Sequence, residues 1–336
     1  MVPDNPRRTV RAAPEFSGNY AVEAPPEVAV QGTDGPAAVG TRPSPVGVAG
    51  ALVRGVRPRQ WIKNLLVFTA PAASGSLLRP EILGQTLAAF GLFCLVSGGV
   101  YLLNDVRDAP LDRLHPTKRR RPVASGALPV PVAVAAGIVL LAGSVTAAAL
   151  LTRPALAVVL GSYAVISLSY SLFLKNQPVI DLAAVASGFV LRAVAGGAAT
   201  DIRLSQWFLL VAAFGALFMV AGKRYAELVA LGEAAGTRRT LGEYSASYLR
   251  FVWSLSAGVT CTAYCLWAFE LLRSGATGVP WPTISIAPFV LALLRYAVDV
   301  DRGTAGAPED IVLRDRVLLG LGVIWAATFA LGVLTR

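Results

Sequence analysis

Apolar runs recur from about residue 65 to the end of the chain, separated by shorter polar segments. A transmembrane helix needs about 20 mostly apolar residues, at ~1.5 Å of rise each, to cross a hydrocarbon core ~30 Å thick. The pattern predicts nine spans: a short proline-interrupted one at 65–73, then 86–103, 130–150, 155–174, 179–199, 207–221, 249–272, 284–298 and 317–334. Gly and Ala are frequent inside them, as where helices approach closely with no water to drive them together. The expected fold is an all-α polytopic membrane protein. Residues 1–48 differ: Pro3, Pro6, Pro14, Pro25, Pro26, Pro36, Pro43 and Pro45 break any helix, and bulky apolar residues are sparse. That stretch is expected to be a disordered tail lacking signal-peptide features, which assigns 49–336 to the helical domain.

Loop charge predicts the orientation. The loop after the second span carries Arg107, Arg113, Lys118, Arg119, Arg120 and Arg121; the loop after the sixth carries Lys223, Arg224, Arg238 and Arg239. Arg302, Arg314 and Arg316 follow the eighth, whereas the intervening loops hold one basic residue each. Positive charge marks the cytoplasmic side, so the N-terminus and the richer loops are expected there, in an inner (plasma) membrane.

Composition narrows the function classes. Only 15% of the 336 residues are charged and 55% are hydrophobic, against roughly 25% charged in soluble domains. The net charge of +10 could suit nucleic acid, but the Lys and Arg sit between apolar runs. A lipid bilayer and anionic small molecules fit that distribution better, and no nucleic-acid partner is expected. Cys94, Cys261 and Cys265 all fall in apolar stretches, with no metal-ligand spacing to the single His115; they read as buried free thiols.

The candidate chemistry begins with Asn104-Asp105-Val106-Arg107-Asp108-Ala109-Pro110-Leu111-Asp112, where the second span reaches the surface. Asp105, Asp108 and Asp112 are spaced to share one helix face with Tyr101 and Asn104, although Pro110 can end the helix before Asp112. Converging carboxylates repel unless a cation lies between them, and hard oxygen ligands suit Mg²⁺ together with phosphate oxygens. A polar helix end paired to Arg107 and Arg113 is the plainer alternative. Directly downstream, Lys118 and Arg119 belong to a basic run that suits either anionic headgroups or further phosphates. Lys175 precedes the fifth span, Asp181 lies in its first turn and Arg192 deep within it. A charge mid-span costs about 2.5–3.5 kcal/mol and faces a cavity or a partner. Lys223, Arg224 and Glu227 form a third cluster at the end of the sixth span. All three clusters are expected on one membrane face.

The Asn-Asp-x-x-Asp-x-x-x-Asp run at 104–112 resembles the first signature of the UbiA-type intramembrane prenyltransferase superfamily. That resemblance implies nine helices around a polar cavity opening to the cytoplasm, and a diphosphate held through Mg²⁺ on two acidic motifs. The second motif departs from the pattern: four residues after Asp181 stands Val185. Arg57-Pro58-Arg59-Gln60-Trp61-Ile62-Lys63-Asn64, His-Pro-Thr-Lys-Arg at 115–119, Gly-Lys-Arg-Tyr-Ala-Glu at 222–227 and Leu-Arg-Tyr-Ala-Val-Asp-Val-Asp at 294–301 resemble the branch that acts on decaprenyl phosphate. So does Pro-Glu-Asp-Ile at 308–311. The branch implies transfer of 5-phosphoribose from 5-phosphoribosyl 1-diphosphate to decaprenyl phosphate, for cell-wall arabinan. It implies Mg²⁺ on Asn104, Asp105 and Asp108, with phosphates gripped by Lys63, Lys118, Arg119, Lys175 and Lys223. Tyr101 would orient the donor, and Asp181 and Glu227 would hold basic groups or touch ribose. A prenyltransferase with an aromatic acceptor, or a transporter or scaffold, stands beside this reading. The pattern leaves homo-oligomerisation open.

Overall fold

The computed structural model describes residues 45–231, 243–273, 278–304, 311 and 315–335. Helix α1 covers Pro45–Gly55, and a 3₁₀ segment, Pro58–Phe68, leads into the short α2, Thr69–Ala73. Then come α3 (Pro80–Leu114), α4 (Val130–Leu151), α5 (Pro154–Leu172), α6 (Ile180–Thr200) and α7 (Gln206–Leu231). Helices α8 (Ala246–Arg273), α9 (Trp281–Ile284), α10 (Ile286–Asp301) and α11 (Arg316–Leu334) complete the described chain. There are no strands among the described residues. Helix α1 takes in the last residues of the stretch assigned to the tail; residues 1–44 lie outside the described ones.

Among the described residues, eight helical stretches are long and apolar enough to cross a membrane, with α9 and α10 counted as one. Their outward faces are apolar: Val139 is 68% exposed, Val158 69% and Val323 67%. Side chains of this kind need a hydrocarbon solvent, and the chain is a multi-pass membrane protein.

The span expected at 65–73 is not among those eight. The chain there is a 3₁₀ segment of 11 residues followed by 5 residues of α-helix. A 3₁₀ helix rises about 2.0 Å per residue and an α-helix about 1.5 Å, so the two together reach about 30 Å. The segment runs from Arg57, beside Asp105, to Ala73 and Ser74, which line a cavity with Trp267 and Glu270 near the far end of α8. Its sequence has too few contiguous apolar residues for an ordinary span.

Close approaches fix this arrangement. A Cβ on Gly196 of α6 would lie 2.0 Å from the Val67 carbonyl oxygen, so the 3₁₀ segment rests directly on α6 backbone. A Cβ on Gly99 of α3 would lie 2.7 Å from the Gly137 oxygen of α4. Three apolar clusters fill the interior: Phe93, Leu160 and Tyr163 between α3 and α5; Leu182, Phe218, Leu249 and Tyr296 joining α6, α7, α8 and α10; and Ala51, Leu102, Val123 and Leu128 around α1 and α3.

The 35-residue α3 decides where the acids go. At ~1.5 Å per residue it exceeds the hydrocarbon thickness by several turns. Pro110 lies inside it and does not end it: the helix continues to Leu114 and carries Asp112 with Asp105 and Asp108. Pro110 is exposed, where water can take up the carbonyl its missing N–H leaves unpaired.

Candidate active site at the charged end of the bundle

The last turns of α3, α5, α7 and α10 meet the first turns of α6 and α8 at one end of the molecule. Three segments converge on the α3 acids. Asp105 is buried, and its Oδ1 receives the Arg57 guanidinium and, at 3.3 Å, Arg121. Arg121 also donates to Asp112 Oδ2 at 2.7 Å. Its position follows from the loop after α3, where Val123 and Leu128 are buried against α1 and α3. Asp108, 24% exposed, meets Lys175 Nζ at 3.2 Å. Its other oxygen accepts from Asn104 Nδ2 at 3.3 Å, while Asn104 Oδ1 accepts from Ser171 at 2.7 Å. The Arg57 guanidinium also lies over the Tyr101 ring, 5.1 Å from its centroid.

A second cluster surrounds Asp181, which is buried at the start of α6. The Tyr244 hydroxyl donates to its Oδ1, and Arg224 lies 3.6 Å from Oδ2. Arg224 also meets Glu227 at 3.3 Å and donates to the Tyr170 hydroxyl at 3.4 Å. The same Tyr244 oxygen accepts the Val179 N–H at 2.6 Å. Val179 has φ 68°, a strained conformation for a β-branched residue that persists only where its surroundings hold it. Burial, then the Asp181 carboxylate, push the Tyr244 hydroxyl's pKa upward, so it stays a neutral donor. Tyr170 and Ser171, neighbours at the end of α5, each reach one cluster and tie the two together.

The structure thus joins Asn104, Asp105, Asp108, Asp112, Tyr101, Lys175, Asp181, Arg224 and Glu227 at one end. Arg119 and Lys223 are exposed there, and Lys63 and Lys118 half-buried. Arg192 is buried deeper along α6. Its Nε donates to Asn64 at 2.8 Å, one terminal nitrogen to the Gly188 carbonyl at 2.6 Å and the other to Tyr163 at 3.0 Å. The Phe93 and Tyr163 rings lie 5.1 and 4.8 Å away. It anchors the 3₁₀ segment through Asn64, the residue after Lys63. Cys94 is buried as expected, where it accepts from Asn64 at 3.2 Å. Cys261 and Cys265 are free but only half-buried.

Arg57 and Arg121 stand in runs noted in the sequence but not as site residues, and Tyr170, Ser171 and Tyr244 carry no sequence signal. Arg57 and Arg121 each precede a proline inside runs already notable for charge, but nothing local says which cation of a run turns inward. Among the described residues no three His, Cys, Asp or Glu side chains converge as a ready-made metal cage. Asn104, Asp105 and Asp108 supply hard oxygens that could complete the shell of a small divalent cation together with ligand oxygens, the arrangement Mg²⁺ favours. Asp181 fits a cation poorly, with Tyr244 on one oxygen and Arg224 facing the other.

A bundle of this kind, with an acidic motif opposed by cations at one membrane face, defines a class. The UbiA prenyltransferase family model matches residues 65–314, and the chain belongs to that family. A UbiA homolog from Archaeoglobus fulgidus bound to GPP and Mg²⁺ has the same fold, with TM-score 0.63, 18% identity and coverage of 85% of this chain and 100% of that one. Within the family, the chain is 50% identical over 294 residues to the decaprenyl-phosphate phosphoribosyltransferase of Mycobacterium tuberculosis, covering 86% of this chain and 96% of that protein. It is 45% identical over 297 residues to the protein of the same name from Corynebacterium glutamicum, covering 87% and 89%.

Proposed function

We propose that this chain transfers 5-phosphoribose from 5-phosphoribosyl 1-diphosphate to a polyprenyl phosphate, decaprenyl phosphate by likeness to its relatives, giving decaprenylphosphoryl-5-phosphoribose for cell-wall arabinan and releasing diphosphate. The observation that carries the reading is a site whose three α3 acids are matched by Arg57, Arg121 and Lys175, with Lys63, Lys118, Arg119, Lys223 and Arg224 as further cations at the same end, next to relatives that bear this activity in their name. A donor with both a diphosphate and a 5-phosphate needs that surplus of positive charge. The charged end faces the cytoplasm of the inner membrane by the positive-inside rule, where a soluble phosphoribosyl donor is at hand. The acceptor's tail stays in lipid while its phosphate reaches the same boundary.

Asn104, Asp105 and Asp108 would hold Mg²⁺, which when bound offsets the charge that builds on the departing diphosphate. Arg224, kept in place by Asp181, Glu227 and Tyr170, presents positive charge on the opposite side for a second phosphate. Lys63, Lys118, Arg119, Lys175 and Lys223 add phosphate contacts from four segments, and Tyr101 orients the donor. The attacking acceptor oxygen is already anionic, so the site needs no strong general base. Its single His115 is exposed.

Purified protein with Mg²⁺, the phosphoribosyl donor and decaprenyl phosphate should form a lipid-linked phosphoribose, detected by mass spectrometry. Absence of that product, together with transfer of a prenyl group to an aromatic acceptor, would overturn the reading in favour of a prenyltransferase. Absence of both in folded protein would favour a transporter or scaffold.

A further inference from the structure

The three α3 acids are each engaged by a cation from a different stretch of chain: Arg57 from the junction before the 3₁₀ segment, Arg121 from the loop after α3, and Lys175 from the connection between α5 and α6. Arg121 spans two of the acids, and both arginines address the same oxygen of Asp105. That acid is only 1% exposed, while the two arginine side chains are 27% and 26% exposed. The arginines therefore stand between a buried carboxylate and the solvent.

Arg57 is held there against backbone preference. Its φ is 55°, in the left-handed region, immediately before Pro58. Such an outlier persists only where surrounding contacts over-determine it. Here those contacts are Asp105 and the Tyr101 face.

Three carboxylates against three cations leave the cluster near neutral. A divalent cation added alone would share Asp105 with two guanidiniums and leave uncompensated positive charge around a buried acid. A multiply charged anion arriving with it restores the balance. Guanidinium groups also suit phosphate, whose oxygens they can take two at a time.

We propose that Arg57 and Arg121 exchange partners on binding. They hold Asp105 and Asp112 until a diphosphate draws them off, so the divalent cation and the diphosphate enter the site as a coupled pair. This rests on the cation reading of Asn104, Asp105 and Asp108 given above. It adds two arginines that pass from carboxylate to phosphate as the metal-bound diphosphate arrives.

The test uses the full-length chain in detergent, with Mn²⁺ as an EPR-visible probe and inorganic diphosphate. Without diphosphate, Arg121→Gln should bind Mn²⁺ about tenfold more tightly than wild type, because a competitor for the carboxylates is gone. At saturating Mn²⁺ the same variant should bind diphosphate about tenfold more weakly, because the guanidinium that moves to phosphate is missing. Arg121→Lys keeps the charge but not the paired N–H donors, so it should fall between wild type and Arg121→Gln in both measurements, and Arg57→Gln should repeat the pattern if Arg121→Gln fails to fold. Merely structural ion pairs would leave Mn²⁺ affinity without diphosphate unchanged or weaker in both Gln variants, which overturns the exchange. Micromolar Mn²⁺ binding by wild type without diphosphate overturns it with no variant at all. Wild type that takes up no Mn²⁺ even with diphosphate present overturns the cation reading beneath it.

Discussion

Gly196→Ala is a small change with a calculable consequence. The new Cβ would lie 2.0 Å from the Val67 carbonyl oxygen and 3.0 Å from Pro71 Cδ. Real Cβ contacts essentially never fall below 3.0 Å, so the 3₁₀ segment must retreat from α6 by at least about 1 Å. The obstacle is backbone and cannot rotate away. Overpacking of this kind costs roughly 1–3 kcal/mol, which should appear as a clear drop in thermal unfolding temperature in detergent. The functional cost should be larger than the stability cost. The same segment bears Lys63 and Asn64 and begins at Arg57, and a 1 Å misplacement of positioning groups can cost about 10²-fold in rate. The assay is formation of lipid-linked phosphoribose per folded molecule, with Gly91→Ala as control, since nothing lies within 4 Å of a Cβ there. Wild-type turnover and stability in Gly196→Ala would refute the account of how the segment is seated.

Three further outcomes follow from the contacts. Asp108→Asn keeps the shape of the half-exposed α3 acid and removes its charge; turnover should fall about 10²–10³-fold, or 3–4 kcal/mol, with normal folding and partial rescue by added Mg²⁺, and unchanged turnover at low Mg²⁺ would remove Asp108 from the cation site. Arg192→Met leaves acceptors on Asn64, Gly188 and Tyr163 unfilled, so it should lose about 3 kcal/mol of stability; normal stability with a raised donor KM would instead place Arg192 among the substrate contacts. Asp315 caps α11 and pairs with Arg295 at 2.6 Å, and the hydrogen bond from Arg295 holds its carboxyl below the usual range. Its stabilising contribution is then complete above about pH 4 and is lost as pH falls through the lowered folded-state value. Acid titration of thermal stability should show a shallower decline in Asp315→Asn, and identical profiles would count against the pair.

Much of this protein was legible without coordinates because a bilayer imposes a one-dimensional rule. Each crossing helix must satisfy its own backbone and present apolar side chains, so spans announce themselves as apolar runs, and loop charge orders them. The acidic motif was legible for a similar reason: Asn104, Asp105, Asp108 and Asp112 belong to one helix, and their shared face follows from 3.6 residues per turn.

Tertiary structure decided what that rule does not reach. The apolar run at 65–73 reads as a short span, yet the chain there is mostly 3₁₀ helix, and only the seat against Gly196 shows where it lies. Pro110 reads locally as a stop, yet α3 passes through it to bury Asp112 beside Arg121. In the run 118–121 every cation is equivalent by composition, and the burial of Val123 and Leu128 turns Arg121 inward while Arg119 stays exposed. Arg192 and Tyr244 take their parts from residues 128 and 63 positions away, Asn64 and Asp181. Pairings over such distances are fixed by how helices pack, which no local pattern encodes.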